Sequence, residues 1–268
     1  MINRLSTQAL AAALVSVAAM PMAAGQTASP VATPHMKPPA DGKPHHLAYE
    51  AATDAELELF KPGPTLGNVT MKKCRLQAAV IEPLRQLLQA AQRATQKDEW
   101  QLVTLSCFRS INYQAAVFCN HDGVTGKDAD DGKDCVDPAV RSRMSAPPGF
   151  SEHATGFALD FTVRGKPGEN IDCGRGGSPC AKEMETAAGK WLMKNAACYG
   201  FELSFPGDRT DESGKTSEQS VAYEPWHWRW AGLDPGSDAA KHARDIFADA
   251  RAWYPNQAPA CPAAAFTN

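Results

Sequence analysis

The chain has 268 residues, and its 27 Lys plus Arg nearly balance 30 Asp plus Glu, for a formal charge of −3. That balance, with no basic cluster, excludes the electrostatic footprint of a nucleic-acid-binding protein. A hydrophobic content of 43% is that of a globular chain able to bury one or two cores, and no apolar run is long enough to span a bilayer.

Met1 to Gly25 carries Arg4 at its start, an apolar stretch from Leu10 to Met20, and the small residues Ala23-Ala24-Gly25. This pattern predicts a secretory signal peptide over residues 1–25. The protein is then exported, periplasmic or secreted, with no stable membrane insertion after cleavage. Residues 26–48 are rich in Pro, Ala, Thr and His and read as a flexible leader. His35 and the His45-His46 pair lie there, where nothing fixes a coordination geometry. Residues 49–268 are expected to form one folded domain.

Export gives the cysteines a structural meaning. Cys74, Cys107, Cys119, Cys135, Cys173, Cys180, Cys198 and Cys261 are an even set with no C-x-x-C pair. In an oxidising compartment such a set predicts four disulfides. Eight cysteines allow 105 pairings; short loops favour Cys119–Cys135 and Cys173–Cys180.

Leu76, Val80, Leu84, Leu87, Leu88 and Ala91 recur on one helical face, with a kink or a helix start expected at Pro83. Trp100 to Leu105 alternates like a strand. Ser110 is a candidate N-cap for a helix carrying Tyr113, Ala116 and Val117. Residues 120–148 form a polar loop in which Asp128, Asp130, Asp131 and Asp134 lack EF-hand spacing, so the acidic stretch reads as solvated. A strand is predicted from Gly156 to Val163 and a loop from Gly165 to Ser178. An amphipathic helix follows from Ala181 to Ala197, then strands at Phe201–Phe205 and Ala222–Trp230 around a charged loop, and a closing helix at Ala239–Trp253. Helices and antiparallel-type strands without βαβ alternation predict an α+β fold. The expected form is a compact single domain with a small antiparallel sheet flanked by helices and stapled by disulfides.

Two segments carry the chemistry. In Ser151-Glu-His153-Ala-Thr-Gly156-Phe-Ala158-Leu-Asp160 a histidine precedes a strand and an aspartate alternates inward on it. In Glu224-Pro-Trp-His227 a glutamate and a histidine are three apart, so on a regular strand they share a side only if the chain bends, and Pro225 is a candidate for the bend. His153, Asp160 and His227 would together make a two-nitrogen, one-oxygen set suited to Zn²⁺, with Glu224 as the general base. Spacing alone also accommodates a structural histidine, a salt-bridged buried acid and a Trp-rich core strand.

The combination Ser-x-His-x-x-Gly-x-Ala-x-Asp with Glu-x-Trp-His resembles the signature of the zinc D,D-peptidases of the VanY type. That superfamily also contains lysostaphin-like peptidases and the hedgehog signalling domain. Pro148-Gly149-Phe150 resembles the family's approach to the first ligand. Ser106-Cys107-Phe108-Arg109-Ser110 with Gln114 resembles its Ser-Gly-Tyr-Arg-Ser segment and downstream Gln. Cys107 and Phe108 depart from that pattern, and Cys107 suggests a disulfide at the edge of the site. The resemblance implies that His153, Asp160 and His227 bind zinc and that Glu224 activates the hydrolytic water and protonates the leaving amine. It implies that Arg109 faces the scissile carbonyl or the substrate carboxylate, a surface ion pair being its alternative, and that Ser151 and Gln114 assist substrate binding. The implied activity is a zinc D,D-carboxypeptidase acting on the terminal D-Ala-D-Ala bond of peptidoglycan stem peptides. A peptidoglycan endopeptidase and a catalytically silent zinc-binding module are its alternatives.

Overall fold

The computed structural model describes residues 46–64, 66, 73–96, 100–119, 141–142, 145–165, 169, 171–173, 179–206, 209–210, 216–217, 221–253 and 258–261. The signal peptide, the leader up to His45, the Asp128–Asp134 stretch and the Cys119–Cys135 pairing lie outside what is described. The chain divides into two units, residues 1–34 and 35–268, and the described residues all fall in the second.

The short strands β1 (Leu57–Leu59) and β2 (Arg75–Gln77) pair antiparallel, with Leu57 opposite Gln77. β2 leads directly into α1 (Ala78–Ala94), which buries Val80, Leu84, Leu87, Leu88 and Ala91 on the face expected from their spacing. Leu76 is buried as well, but on β2. The helix starts at Ala78 rather than at Pro83. Pro83 falls in the second turn and removes one N–H, while the buried apolar stripe holds the first turn in place.

A four-stranded antiparallel sheet organises the domain in the order β3 (Gln101–Ser106), β4 (Ala158–Arg164), β8 (His227–Trp230), β5 (Phe201–Leu203). A separate two-stranded ribbon pairs β6 (Arg209–Thr210) with β7 (Thr216–Ser217). α2 (Ile111–Cys119) follows β3, and the Ser110 hydroxyl accepts the Tyr113 N–H at 3.2 Å as the predicted cap. Six of the seven residues of β4 are buried, on both faces, because one side meets the hydrophobic core and the other the polar site.

The predicted helix over Ala181–Ala197 is divided. A 3₁₀ turn spans Ala181–Glu185, then the Thr186 hydroxyl accepts the Gly189 N–H and opens α3 (Ala187–Asn195), and a second 3₁₀ turn covers Ala196–Tyr199. Gly189 packs so close to the preceding turn that an added Cβ would lie 2.3 Å from Met184 Cα, which a single helix would not require. The closing helix is also two: α4 (Asp238–Ile246), capped by Ser237, and α5 (Ala248–Trp253). Phe247 separates them, fully buried with its ring 5.8 Å from Tyr49 and 6.5 Å from Phe157. The strand expected from Ala222 shrinks to four residues. Pro225 cannot donate to a ladder, and the chain before His227 turns instead.

Three disulfides join described cysteines: Cys74–Cys107, Cys173–Cys180 and Cys198–Cys261. No cysteine among the described residues is free. Among the described residues, no helix is long and apolar enough to cross a membrane.

Candidate active site

Antiparallel register places Asp160 of β4 directly opposite His227 of β8, so their side chains rise from the same face of the sheet. His153 arrives from a 3₁₀ turn, Glu152–Thr155, whose end is set by Gly156 at φ +72. The positive φ there favours glycine, and an added Cβ would also press on the Leu57 side chain at 2.6 Å. The three residues are buried, and one ligand atom from each lies within 4.8 Å of the others. Asp160 Oδ1 is 3.2 Å from His153 Nε2 and 2.9 Å from His227 Nδ1.

The far nitrogens of both imidazoles are committed. His153 Nδ1 lies 2.7 Å from the carbonyl of Cys107. A carbonyl only accepts, so Nδ1 carries the proton. Burial, aided by the Arg109 charge, pushes the His153 pKa down to about 4. The ring is therefore neutral, with its Nε2 lone pair turned into the cluster. His227 Nε2 lies 3.1 Å from Glu152 Oε2. Burial raises the carboxyl pKa of Glu152, but the charge of Arg229 and the bonds from His227 and Ser204 bring it down to about 2, so it too only accepts. This leaves His227 Nδ1 for the cluster. Two nitrogens, one carboxylate oxygen and an oriented partner on each imidazole fit a Zn²⁺ site. Burial opposes protonation of His227, but the hydrogen bonds and charges of Asp160 and Glu152 raise it to about 10, so a metal at Nδ1 would displace a proton from the imidazolium. Burial likewise opposes ionisation of Asp160, yet His153, His227 and Arg109 hold it well below the usual carboxylate range.

Glu224 sits in a turn, not on the strand. Its N–H bonds the Phe205 carbonyl and its carbonyl accepts the His227 N–H at 3.1 Å, so the bend before His227 includes Pro225 as expected. The Glu224 side chain is buried, and burial, reinforced by Asp160 and Glu152 and opposed by His227 and Arg109, pushes its carboxyl up to about 7.

Arg109 reaches the centre from the loop after β3. Its Nη2 donates to Asp160 Oδ2 at 3.2 Å and its Nη1 to Gln114 Oε1 at 3.0 Å, while Nε is buried with no partner among the described residues. Its backbone N–H bonds the His153 carbonyl. Gln114 is fully enclosed and also donates to the Ala146 carbonyl at 2.7 Å, so its amide is engaged by the protein at both ends. Ser151 is buried at the start of the 3₁₀ turn; its carbonyl accepts the Ala154 N–H, and its hydroxyl makes no capping bond. Cys107 is bonded to Cys74 next to His153, at the edge of the site.

Sequence reasoning missed the carboxylate beneath His227. Glu152 Oε2 also accepts from Ser204 at 2.6 Å, and Oε1 from Arg229 Nη1 at 3.2 Å. A signal was available: Arg229 is two residues after His227 on a Trp-rich strand, hence on the same face, and a buried guanidinium there requires an anionic partner. Arg141 donates to the Phe118 and Val117 carbonyls; burial lowers its pKa and the charge of Glu224 opposes that shift.

A family model described as VanY, D-alanyl-D-alanine carboxypeptidase, matches residues 73–233. The chain is 37% identical over 92 residues to a D-alanyl-D-alanine carboxypeptidase of Enterococcus faecium, covering 34% of this chain and 23% of that protein. It is 30% identical over 95 residues to the bifunctional D-Ala-D-Ala dipeptidase and D-Ala-D-Ala carboxypeptidase VanXYC of Enterococcus gallinarum, covering 35% and 43% respectively. The chain spans less than half the length of these curated relatives. Among solved structures it is similar to the LdcB LD-carboxypeptidase, at 25% identity and a TM-score of 0.43 over 74% of each chain.

Proposed function

The chain belongs to the VanY D-alanyl-D-alanine carboxypeptidase family, and from that premise we propose that it is an exported zinc D,D-carboxypeptidase. Its substrate would be the peptidoglycan stem peptide, from which it releases the terminal D-Ala. The observation that carries this reading is the convergence of His153 Nε2, Asp160 Oδ1 and His227 Nδ1 beside the buried, proton-accepting Glu224. Three disulfides among the described residues support export.

His153, Asp160 and His227 would hold Zn²⁺, which supplies Lewis-acid polarisation of the scissile carbonyl. A group near 7 can take a proton and return it at neutral pH, so Glu224 removes one from the attacking water. Water oxygen bonds to the carbonyl carbon, the C–N bond breaks, and Glu224 delivers the proton to the amine that leaves as free D-Ala. Arg109, held against Asp160, places a fixed positive charge beside this centre, where it can stabilise the developing oxyanion or the terminal carboxylate. Gln114 holds that guanidinium from below.

The test compares a stem pentapeptide ending in free D-Ala-D-Ala with its C-terminal amide and identifies products by mass. Loss of a single D-Ala from the acid, with the amide spared, is expected. Equal cleavage of both would replace the reading by an endopeptidase. A zinc-loaded protein that cleaves neither would replace it by a silent binding module.

A further inference from the structure

We propose that Glu152 is the positioning residue of the metal centre, holding His227 by its Nε2–H so that Nδ1 is fixed toward Asp160. This rests on reading His153, Asp160 and His227 as zinc ligands. Of the three candidate ligands, His227 is the one the Glu152 carboxylate hydrogen-bonds, and that carboxylate has further partners of its own. Ser204 Oγ bonds Oε2 at 2.6 Å, Arg229 Nη1 bonds Oε1 at 3.2 Å, and the Tyr49 hydroxyl reaches Oε1 at 3.5 Å. Arg229, fully buried, reaches Glu202 through Nε at 3.4 Å, and Glu202 takes two bonds from Arg251, whose side chain is partly exposed. Alternating charges thus run from the surface at Arg251 to the imidazole of His227.

The sheet is shaped for this chain of contacts. Arg229 lies opposite Ala158, whose small side chain leaves room on the face shared with Asp160 and His227. An imidazole free to rotate about its χ angles would offer either nitrogen, and a ligand set with one loose member loses affinity. Carboxylates bonded to the far nitrogen of a metal-ligating histidine typically contribute about 10–100-fold in metal affinity or activity.

The experiment measures Zn²⁺ affinity by competition with a chromogenic chelator, in full-length wild type and in Glu152→Gln, with near-UV circular dichroism confirming the fold. The expected result is a folded variant that binds Zn²⁺ about 10–100-fold more weakly, with visible bands of the Co²⁺-loaded protein shifted from wild type. Removing a buried charge beside Arg229 can prevent folding, so Ser204→Ala is measured alongside; it alters no charge and removes the bond that steadies the Glu152 oxygen facing His227. It is expected to weaken Zn²⁺ several-fold. Wild-type affinity and unshifted Co²⁺ bands in Glu152→Gln would overturn the proposal, and so would wild-type affinity in Ser204→Ala if Glu152→Gln does not fold. A wild type that binds no Zn²⁺ would instead overturn the zinc-peptidase reading on which the proposal stands.

Discussion

The imidazole of His153 donates to the backbone carbonyl of Cys107 at 2.7 Å, and Cys107 is itself bonded to Cys74 across a separation of 33 residues. A disulfide therefore secures the atom that orients a proposed metal ligand. Replacing both Cys74 and Cys107 by alanine should lower stability by about 2–4 kcal/mol and weaken Zn²⁺ binding as well. The matching replacement of Cys198 and Cys261, which ties the C-terminal stretch to the turn before β5, should lower stability without weakening Zn²⁺. Chelator competition on folded variants checks this; equal Zn²⁺ affinity in both would detach the disulfide from the site.

Glu224→Gln keeps the shape of the side chain and removes its basicity. Turnover should fall by about 10²–10⁴-fold while one Zn²⁺ per chain is retained. Metal analysis and single-turnover assays on the same preparation measure both. Wild-type turnover would make Glu224 a structural residue.

Arg109 bridges Asp160 and Gln114, so its loss should affect more than substrate binding. Arg109→Ala should lower kcat/KM and abolish the preference for a free C-terminal acid. Lys at this position restores charge but not the two-point bridge, and should recover only part of the activity. If Arg109→Ala still prefers the acid, the carboxylate is read elsewhere, and Arg141→Ala becomes the variant to assay.

The pH dependence of stability follows from Glu152. Its carboxyl is held at about 2 in the folded chain, with Arg229 the main stabilising charge, against an ordinary value near 4.5 when unfolded. The unfolded chain takes up this proton first as pH falls. The contribution, on the order of 3 kcal/mol, is complete above pH 4.5 and disappears as pH drops toward 2. Urea unfolding of the metal-free protein between pH 6 and 2 should show a fall in wild type that is shallower in Glu152→Gln. Parallel curves would contradict the assignment of charge to Glu152.

What could be read before the structure was the part written in local pattern. The stripe of α1 was legible because 3.6-residue spacing survives any tertiary arrangement, and so was the Ser110 cap, which is made within three residues. The donor residues stood out by type and by resemblance. Their convergence depends on the β4–β8 register, which no single segment encodes. The breaks at Thr186 and Phe247 were hidden because apolar periodicity continues through them; packing of Gly189 on Met184 and burial of Phe247 decide them instead. The pairing of Cys74 with Cys107 and of Cys198 with Cys261 joins distant segments, unlike the short Cys173–Cys180 loop. Glu152 was passed over beside the more conspicuous His153, although Arg229 on the buried strand already called for an acid.

The central claim is that one metal ion, held by His153, Asp160 and His227, makes this chain a D,D-carboxypeptidase. The direct measurement is a Zn²⁺ titration of chelator-stripped protein, following D-Ala release from a stem pentapeptide. The account predicts no release at the start, a linear rise, and saturation at one Zn²⁺ per chain. Full release of D-Ala by the metal-free protein would contradict it.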